Sequence, residues 1–229
     1  MTVLSPSPDL RNGPLSVAMR EGSRREHGDA ESSRFVVALL EGRVDEAGYA
    51  QYLARLRDVY AAIESVGRAG AEDPLVAAVL DPALERLPAL EEDLAFWSGG
   101  STLEADSPAT ERYVERVHAC AEWGGLFLAH HYTRYLGDLS GGQAIGRFLA
   151  REFGLERGGR GVRFYEFPQV PKPKPYKDAY RAALDGLGLD DGQQARVVEE
   201  VRVAFRLNQD LFIELDERLG RHERVPLQR

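Results

Sequence analysis

Ala129-His130-His131-Tyr132-Thr133-Arg134-Tyr135-Leu136-Gly137-Asp138-Leu139-Ser140-Gly141-Gly142-Gln143 is the stretch on which the reading of this chain turns. Apolar residues on either side of it, Leu126, Phe127 and Leu136 and then Ile145, Phe148 and Leu149, recur at helical spacing. Gly137, Gly141, Gly142 and Gly146 fall inside that pattern. A glycine in a helix interior costs roughly 0.8–1 kcal/mol relative to alanine, so together they cost about 3–4 kcal/mol. That is a large share of the roughly 5–15 kcal/mol by which a protein is stable. Gly137 and Gly141, four apart, share a face. Two accounts stay open here: a bare face that lets the backbone lie against something flat, and the close helix–helix packing that small residues four apart permit.

The 229 residues suffice for one ordinary domain with a substantial core and a buried ligand. Hydrophobic residues at 43% and charged residues at 29% fit a soluble globular protein, and no run approaches the roughly 18 apolar residues of a membrane span. Met1 to Pro14 has no apolar signal-peptide core and is expected to be a disordered lead. Residues 15–219 are expected to form one helical domain and 220–229 a polar tail. The single Cys120 excludes an internal disulfide and any zinc or iron–sulfur cluster held by several thiolates of one chain, and it suits the reducing cytoplasm. Lys and Arg number 29 against 37 Asp and Glu, a formal charge of −8 that argues against a nucleic-acid partner.

Helical signals fill the rest of the chain. Leu15 to Arg34 predicts a polar helix weakened at Gly22 and Gly28, continued by Phe35 to Leu40 and stopped at Gly42. Tyr49, Leu53, Leu56, Tyr60 and Ile63 make one long amphipathic face. Asp73-Pro74, Asp81-Pro82 and Ser107-Pro108 are helix starts, with an acceptor at the cap and proline in the first turn. Pro88 to Trp97 predicts a short helix. Arg163 to Pro168 is the one strand-like or irregular aromatic run, and Pro168 to Pro175 reads as extended. Lys177 to Leu187 is helical, and Asp190 or Asp191 caps a last helix to Leu219 whose stripe includes Val197, Val201, Phe205 and Leu211. The expectation is all-α with about eight helices.

His27 stands on the first helix with Glu31 four residues on, a spacing that lets a carboxylate orient an imidazole. A solvated pair on a polar helix would look the same. Asn208 interrupts the last apolar stripe, and a buried amide needs partners. Tyr60, Tyr113, Arg134 and Asp138 are further polar residues, which with Asn208 come from four helices.

His130-His131-Tyr132-Thr133-Arg134-Tyr135-Leu136-Gly137-Asp138-Leu139-Ser140-Gly141-Gly142-Gln143 closely resembles the distal-helix signature of the haem oxygenase family, and the resemblance extends from about Leu15 to Leu219. It implies a single-domain fold with haem held between a proximal helix and a kinked, glycine-rich distal helix. His27 then ligates the iron with Glu31 beside it. Gly137 and Gly141 present backbone to the haem, while Asp138, Arg134, Tyr60, Tyr113 and Asn208 form a hydrogen-bonded distal network with ordered water. Arg20, Lys177 and Arg181 meet the propionates, with Tyr132 and Phe205 against the haem. His130 precedes Gly137 by seven residues, a rise of about 10.5 Å, and is assigned to packing. His118, His131 and His222 are assigned to solvent or structural hydrogen bonds.

The implied activity uses haem b as substrate and cofactor. O2 and electrons from an external donor, such as a ferredoxin or a flavoprotein reductase, open the ring to biliverdin, CO and Fe2+. Basic residues at all three propionate positions point to the IXα isomer. No hydrophobic C-terminal anchor is expected. The rival reading is a haem carrier or sensor on the same fold that does not turn over.

Overall fold

The computed structural model describes residues 13–219, and the expected tail, with His222, and most of the expected lead lie outside them. The N-terminal stretch forms three helices rather than one: α1 (Leu15–Gly22), α2 (Arg24–Glu31) and α3 (Arg34–Leu40). The first break falls at Ser23, not at a glycine. Ser23 turns its hydroxyl back onto the Met19 carbonyl at 2.8 Å, and Arg202 donates to the Gly22 carbonyl at 2.7 Å, which occupies an acceptor that a continuous helix would use. The second break carries a new cap, Ser33 Oγ accepting from Val36 N at 3.4 Å. Gly42 follows with φ of +68°, the left-handed conformation that ends a helix.

Capping acceptors open the next helices, Asp45 in addition to those read from the sequence. Asp45 accepts from Gly48 N at 2.7 Å and opens α4 (Glu46–Ala69). Asp73 accepts from Leu75 N at 2.8 Å and opens α5 (Pro74–Ala77). Asp81 does the same for a 3-10 turn, Pro82–Leu84. After α6 (Leu87–Trp97), Ser107 accepts from Thr110 N at 3.1 Å and opens α7 (Pro108–Ala119).

Residues 124–152 form one continuous helical path: α8 (Gly124–His131), π-helical stretches Tyr132–Leu136 and Asp138–Gly142, then α9 (Gln143–Glu152). Gly137 has φ −61° and ψ −50°, ordinary right-handed helix values. The departure from a straight α-helix is therefore made by i→i+5 turns and not by a glycine in an unusual conformation.

Arg163 to Pro168 is not a strand. Arg163–Tyr165 is a 3-10 turn, and the backbone amides of Gly161 and Phe164 bond at 2.8 Å to the two oxygens of buried Asp93 rather than to a ladder. α10 (Pro173–Asp185) begins four residues earlier than Lys177, because Pro173 and Pro175 fit the first helical turn, where no amide donor is needed. α11 (Asp191–Leu219) is opened by Asp190 through a reciprocal box: Gln193 N donates to Asp190 Oδ1 at 2.8 Å, and Asp190 N donates to Gln193 Oε1 at 3.0 Å. Eleven α-helices are thus present among the described residues, with no strand.

The two long helices organise the core. Tyr49, Leu53, Leu56, Tyr60 and Ile63 of α4 are fully buried, as are Val197, Val201, Ala204 and Leu211 of α11. α4 packs on α6, α7 and α8, while α11 packs on α8, α7 and the three N-terminal helices. Asp185, at the end of α10, accepts from Ser16 N at 2.8 Å and from Ser16 Oγ at 3.0 Å, tying the start of α1 to α10. No described helix is long and apolar enough to cross a membrane.

Candidate functional site

A cavity of about 610 Å3 is lined by α2, the π-helical stretches and the middle of α11. Arg20, His27 and Glu31 reach it from the N-terminal helices, Phe205 and Asn208 from α11, and Arg181 from α10. Tyr132, Arg134, Gly137, Asp138 and Gly141 line it from the π-helical side. The two accounts of the glycines now separate by position. A Cβ built on Gly137 or Gly141 meets nothing within 4 Å, whereas one on Gly146 would lie 2.5 Å from Tyr165 Cβ. The first two glycines keep a face bare toward the cavity; Gly146 permits close packing.

His27 is half exposed, its Nδ1 3.4 Å from Glu31 Oε2. Its ring meets Phe205 edge-on, with centroids 5.3 Å apart and planes at 85°. The carboxylate engages Nδ1 and the phenyl ring limits the tilt, which leaves Nε2 as the nitrogen for a ligand.

Opposing polarity gathers around Asp138. Its Oδ2 accepts from the Tyr60 hydroxyl. That hydroxyl also accepts from Arg134 Nε at 3.2 Å, and Arg134 Nη1 donates to Asn208 Oδ1 at 2.6 Å. Asn208 thus finds its partner. Burial pushes the Asp138 carboxyl above its usual range, opposed by the Arg134 charge and the Tyr60 hydrogen bond. Burial by itself would depress Arg134, but Tyr60, Asp138 and Tyr113 around it raise it well above its ordinary value, so it stays cationic. Tyr60 does not line the cavity and acts through Asp138 and Arg134. Tyr113 lies outside both the cavity and the hydrogen-bonded chain, and its buried hydroxyl has no protein partner.

At the cavity mouth Arg20 pairs with Glu21 at 3.0 Å and Arg181 with Asp178 at 3.1 Å, both on exposed surface. Lys177 does not line the cavity. Its Nζ donates to Ser140 Oγ at 2.9 Å and lies 3.4 Å from the Leu139 carbonyl, so it braces the second π-helical stretch. His130 is buried with Nε2 2.8 Å from Glu200 Oε1, and His131 shares a 2.8 Å hydrogen bond between Nδ1 and the Tyr180 hydroxyl. His118 is exposed. None of the three lines the cavity.

The sequence pattern of the Heme oxygenase family matches residues 13–214. The chain belongs to the haem oxygenase family. It is 38% identical over 218 residues to Heme oxygenase 1 of Homo sapiens, an alignment covering 93% of this chain and 76% of that protein. It is 36% identical over 205 residues to Heme oxygenase 1 of Synechocystis, covering 88% and 85%. The crystal structure of heme oxygenase-1 from Synechocystis sp. PCC6803 in complex with heme superposes with a TM-score of 0.84 at 35% identity, over 91% of this chain and 95% of that one.

For a member of the haem oxygenase family, the cavity also holds residues that the sequence reading passed over. Arg24 lines it from the start of α2, across the break at Ser23 from Arg20. Ser140 lines it between the two open glycines. Tyr52, Phe164 and Phe212 supply apolar wall from three separate elements, and nothing local in the sequence marks them as neighbours.

Proposed function

We propose that this haem oxygenase binds haem b in the cavity, with His27 Nε2 as the iron's protein ligand, and opens the ring to biliverdin, CO and Fe2+. The observation that carries the reading is that Gly137 and Gly141 keep bare backbone toward the cavity that His27 also lines. The residues present fit the group. A flat macrocycle needs a face without Cβ atoms, its iron a neutral imidazole, and its two carboxylates cationic partners.

Bound haem supplies the iron at which O2 is reduced and is itself the substrate. Glu31 and Phe205 orient His27. The Asp138 carboxylate, fixed by Tyr60, holds a water and its proton close to the open backbone of Gly137, and Arg134, fixed by Asn208, keeps the charge balance there. A neutral histidine gives none of the electron donation by which a thiolate ligand favours O–O cleavage, so reactivity is directed to the ring edge. Arg20 and Arg181 take the propionates, with Arg24 beside them and Tyr132 at the haem edge. Lys177 reaches the same carboxylates by leaving Ser140. Two charge-assisted contacts of about 1.5–3 kcal/mol each would fix the in-plane rotation and favour the IXα isomer. Electrons come from an external donor of the ferredoxin or flavoprotein-reductase class. The single cysteine supports a cytoplasmic setting.

Adding haem and a reductant under air and following the Soret band tests the proposal. Formation and then loss of the band, with a bilin absorbance replacing it, is the expected result. A stable band would identify a carrier, and no band would reject haem binding. Chromatography of the bilin tests the isomer: a dominant β or δ product would overturn the rotation argument.

A further inference from the structure

Cys120, His130 and Glu200 form a buried cluster that the haem site does not use. Cys120 opens the 3-10 turn after α7, His130 sits on α8 and Glu200 on α11. They are 1%, 0% and 3% exposed, and one potential ligand atom of each lies within 4.8 Å of the others. Glu200 Oε1 accepts from His130 Nε2 at 2.8 Å and from Arg116 Nε at 2.8 Å. An ionised carboxylate only accepts, so Nε2 carries a proton in this bond. His130 Nδ1 has no partner, and neither has the hydroxyl of Tyr113, whose ring centroid is 5.5 Å from that of the imidazole. Two orphaned polar atoms on neighbouring buried rings call for an explanation.

We propose that Cys120, His130 and Glu200 bind a transition-metal dication, with Zn2+ the best match. Thiolate, imidazole and carboxylate are its ligand types, and three protein ligands leave a fourth position for water. Metal binding draws ligand atoms at most 4.8 Å apart to the edge of a tetrahedral zinc site, about 3.5 Å, and the Cys120 thiol gives up its 3.2 Å hydrogen bond to the Arg116 carbonyl. The Cys120 thiol releases its proton to solvent as sulfur bonds the metal. The ring proton of His130 moves from Nε2, which turns to the metal, to Nδ1. There it becomes the second-nitrogen donor that ligating imidazoles ordinarily present. No oxidation state changes. Arg116 is 37% exposed along its side chain and pairs with Glu200 from the solvent side, so its charge opposes the dication and sets the sign of one test.

The haem-free full chain, without an affinity tag, is titrated with Co2+ alone. Because the chain has one cysteine, a thiolate-to-cobalt charge-transfer band reports this site and no other. A saturable one-to-one band that Zn2+ displaces is expected. Glu200→Gln and His130→Gln should each weaken binding by about ten- to a hundredfold, with circular dichroism verifying the fold, and Arg116→Gln should strengthen it. No saturable band in the wild type would overturn the proposal. So would a band that Glu200→Gln and His130→Gln leave unchanged, since that would be a thiol acting alone. If those two variants fail to fold, Arg116→Gln decides: unchanged or weaker binding overturns the site.

Discussion

The hydroxyl of Tyr60, in the middle of α4, donates to the carboxylate of Asp138, the residue immediately after the open backbone of Gly137. The bond crosses the core between elements 78 residues apart in the chain and fixes which way the acid points. Asp138→Ala should therefore leave haem affinity nearly unchanged while biliverdin formation falls about a hundredfold. The Tyr60 hydroxyl loses its acceptor, so stability should drop by about 1–3 kcal/mol. Single-turnover bilin yield and urea unfolding measure the two effects; wild-type yield from this variant would remove Asp138 from the reaction.

His27→Ala should abolish the histidine-ligated haem spectrum and turnover together, and added imidazole should restore part of both. His130→Ala should leave the iron spectrum intact and lower stability instead, because His130 bonds Glu200 at 2.8 Å and does not line the cavity. The reverse pattern in absorption spectra would exchange the two assignments.

The glycines should answer oppositely to one substitution. Gly137→Ala adds a methyl that meets no protein atom within 4 Å, so the apoprotein should gain about 0.5–1 kcal/mol from helix propensity while haem affinity falls at least about tenfold. Gly146→Ala drives its methyl to 2.5 Å from Tyr165 Cβ and should cost about 1–3 kcal/mol. Thermal melts with and without haem separate the cases.

Burial lowers His131 to about 3, so it stays neutral in the folded protein, whereas the unfolded chain takes up a proton below about pH 6.5. The unfolded state then binds more protons, and stability falls as pH falls. The His131 contribution is complete above about pH 6.5 and declines by about 1.4 kcal/mol per pH unit below it, until pH 3. His131→Gln removes this term, so its melting temperature should change less between pH 7 and pH 5 than that of the wild type. Equal slopes would show that His131 charges freely in the fold.

Local chemistry made much of the fold legible. Asp73, Asp81, Ser107 and Asp190 all cap the elements that follow them because a cap is a matter of three or four neighbouring residues. The break at Ser23 was not legible, since Arg202 from the far end of the chain takes the Gly22 carbonyl. Lys177 was expected at the propionates, but it lies outside the cavity on Ser140, a partner that depends on how α10 docks. Tyr113, expected in the hydrogen-bonded network, is buried outside it. The grouping of the candidate site was readable where one helix carries it, as with His27 and Glu31 or Gly137 and Asp138 on the cavity lining. It was unreadable where packing alone brings residues together.

The π-helical stretches carry a further consequence, one of phase. Where each amide reaches one residue further back than in an α-helix, the chain behaves as though it held a spare residue, and the facing of everything downstream is set by that count. Deleting one residue inside a π-helical stretch would let that turn close to α-helix and keep the facing of α9, whereas deleting one from α8, which has no spare, would rotate α9 by about 100°. Gly146 would then lose its seat on Tyr165, and Leu149 would leave the core. The length of α8 is thus as fixed as a reading frame, and the π-helical stretches are where the path has slack.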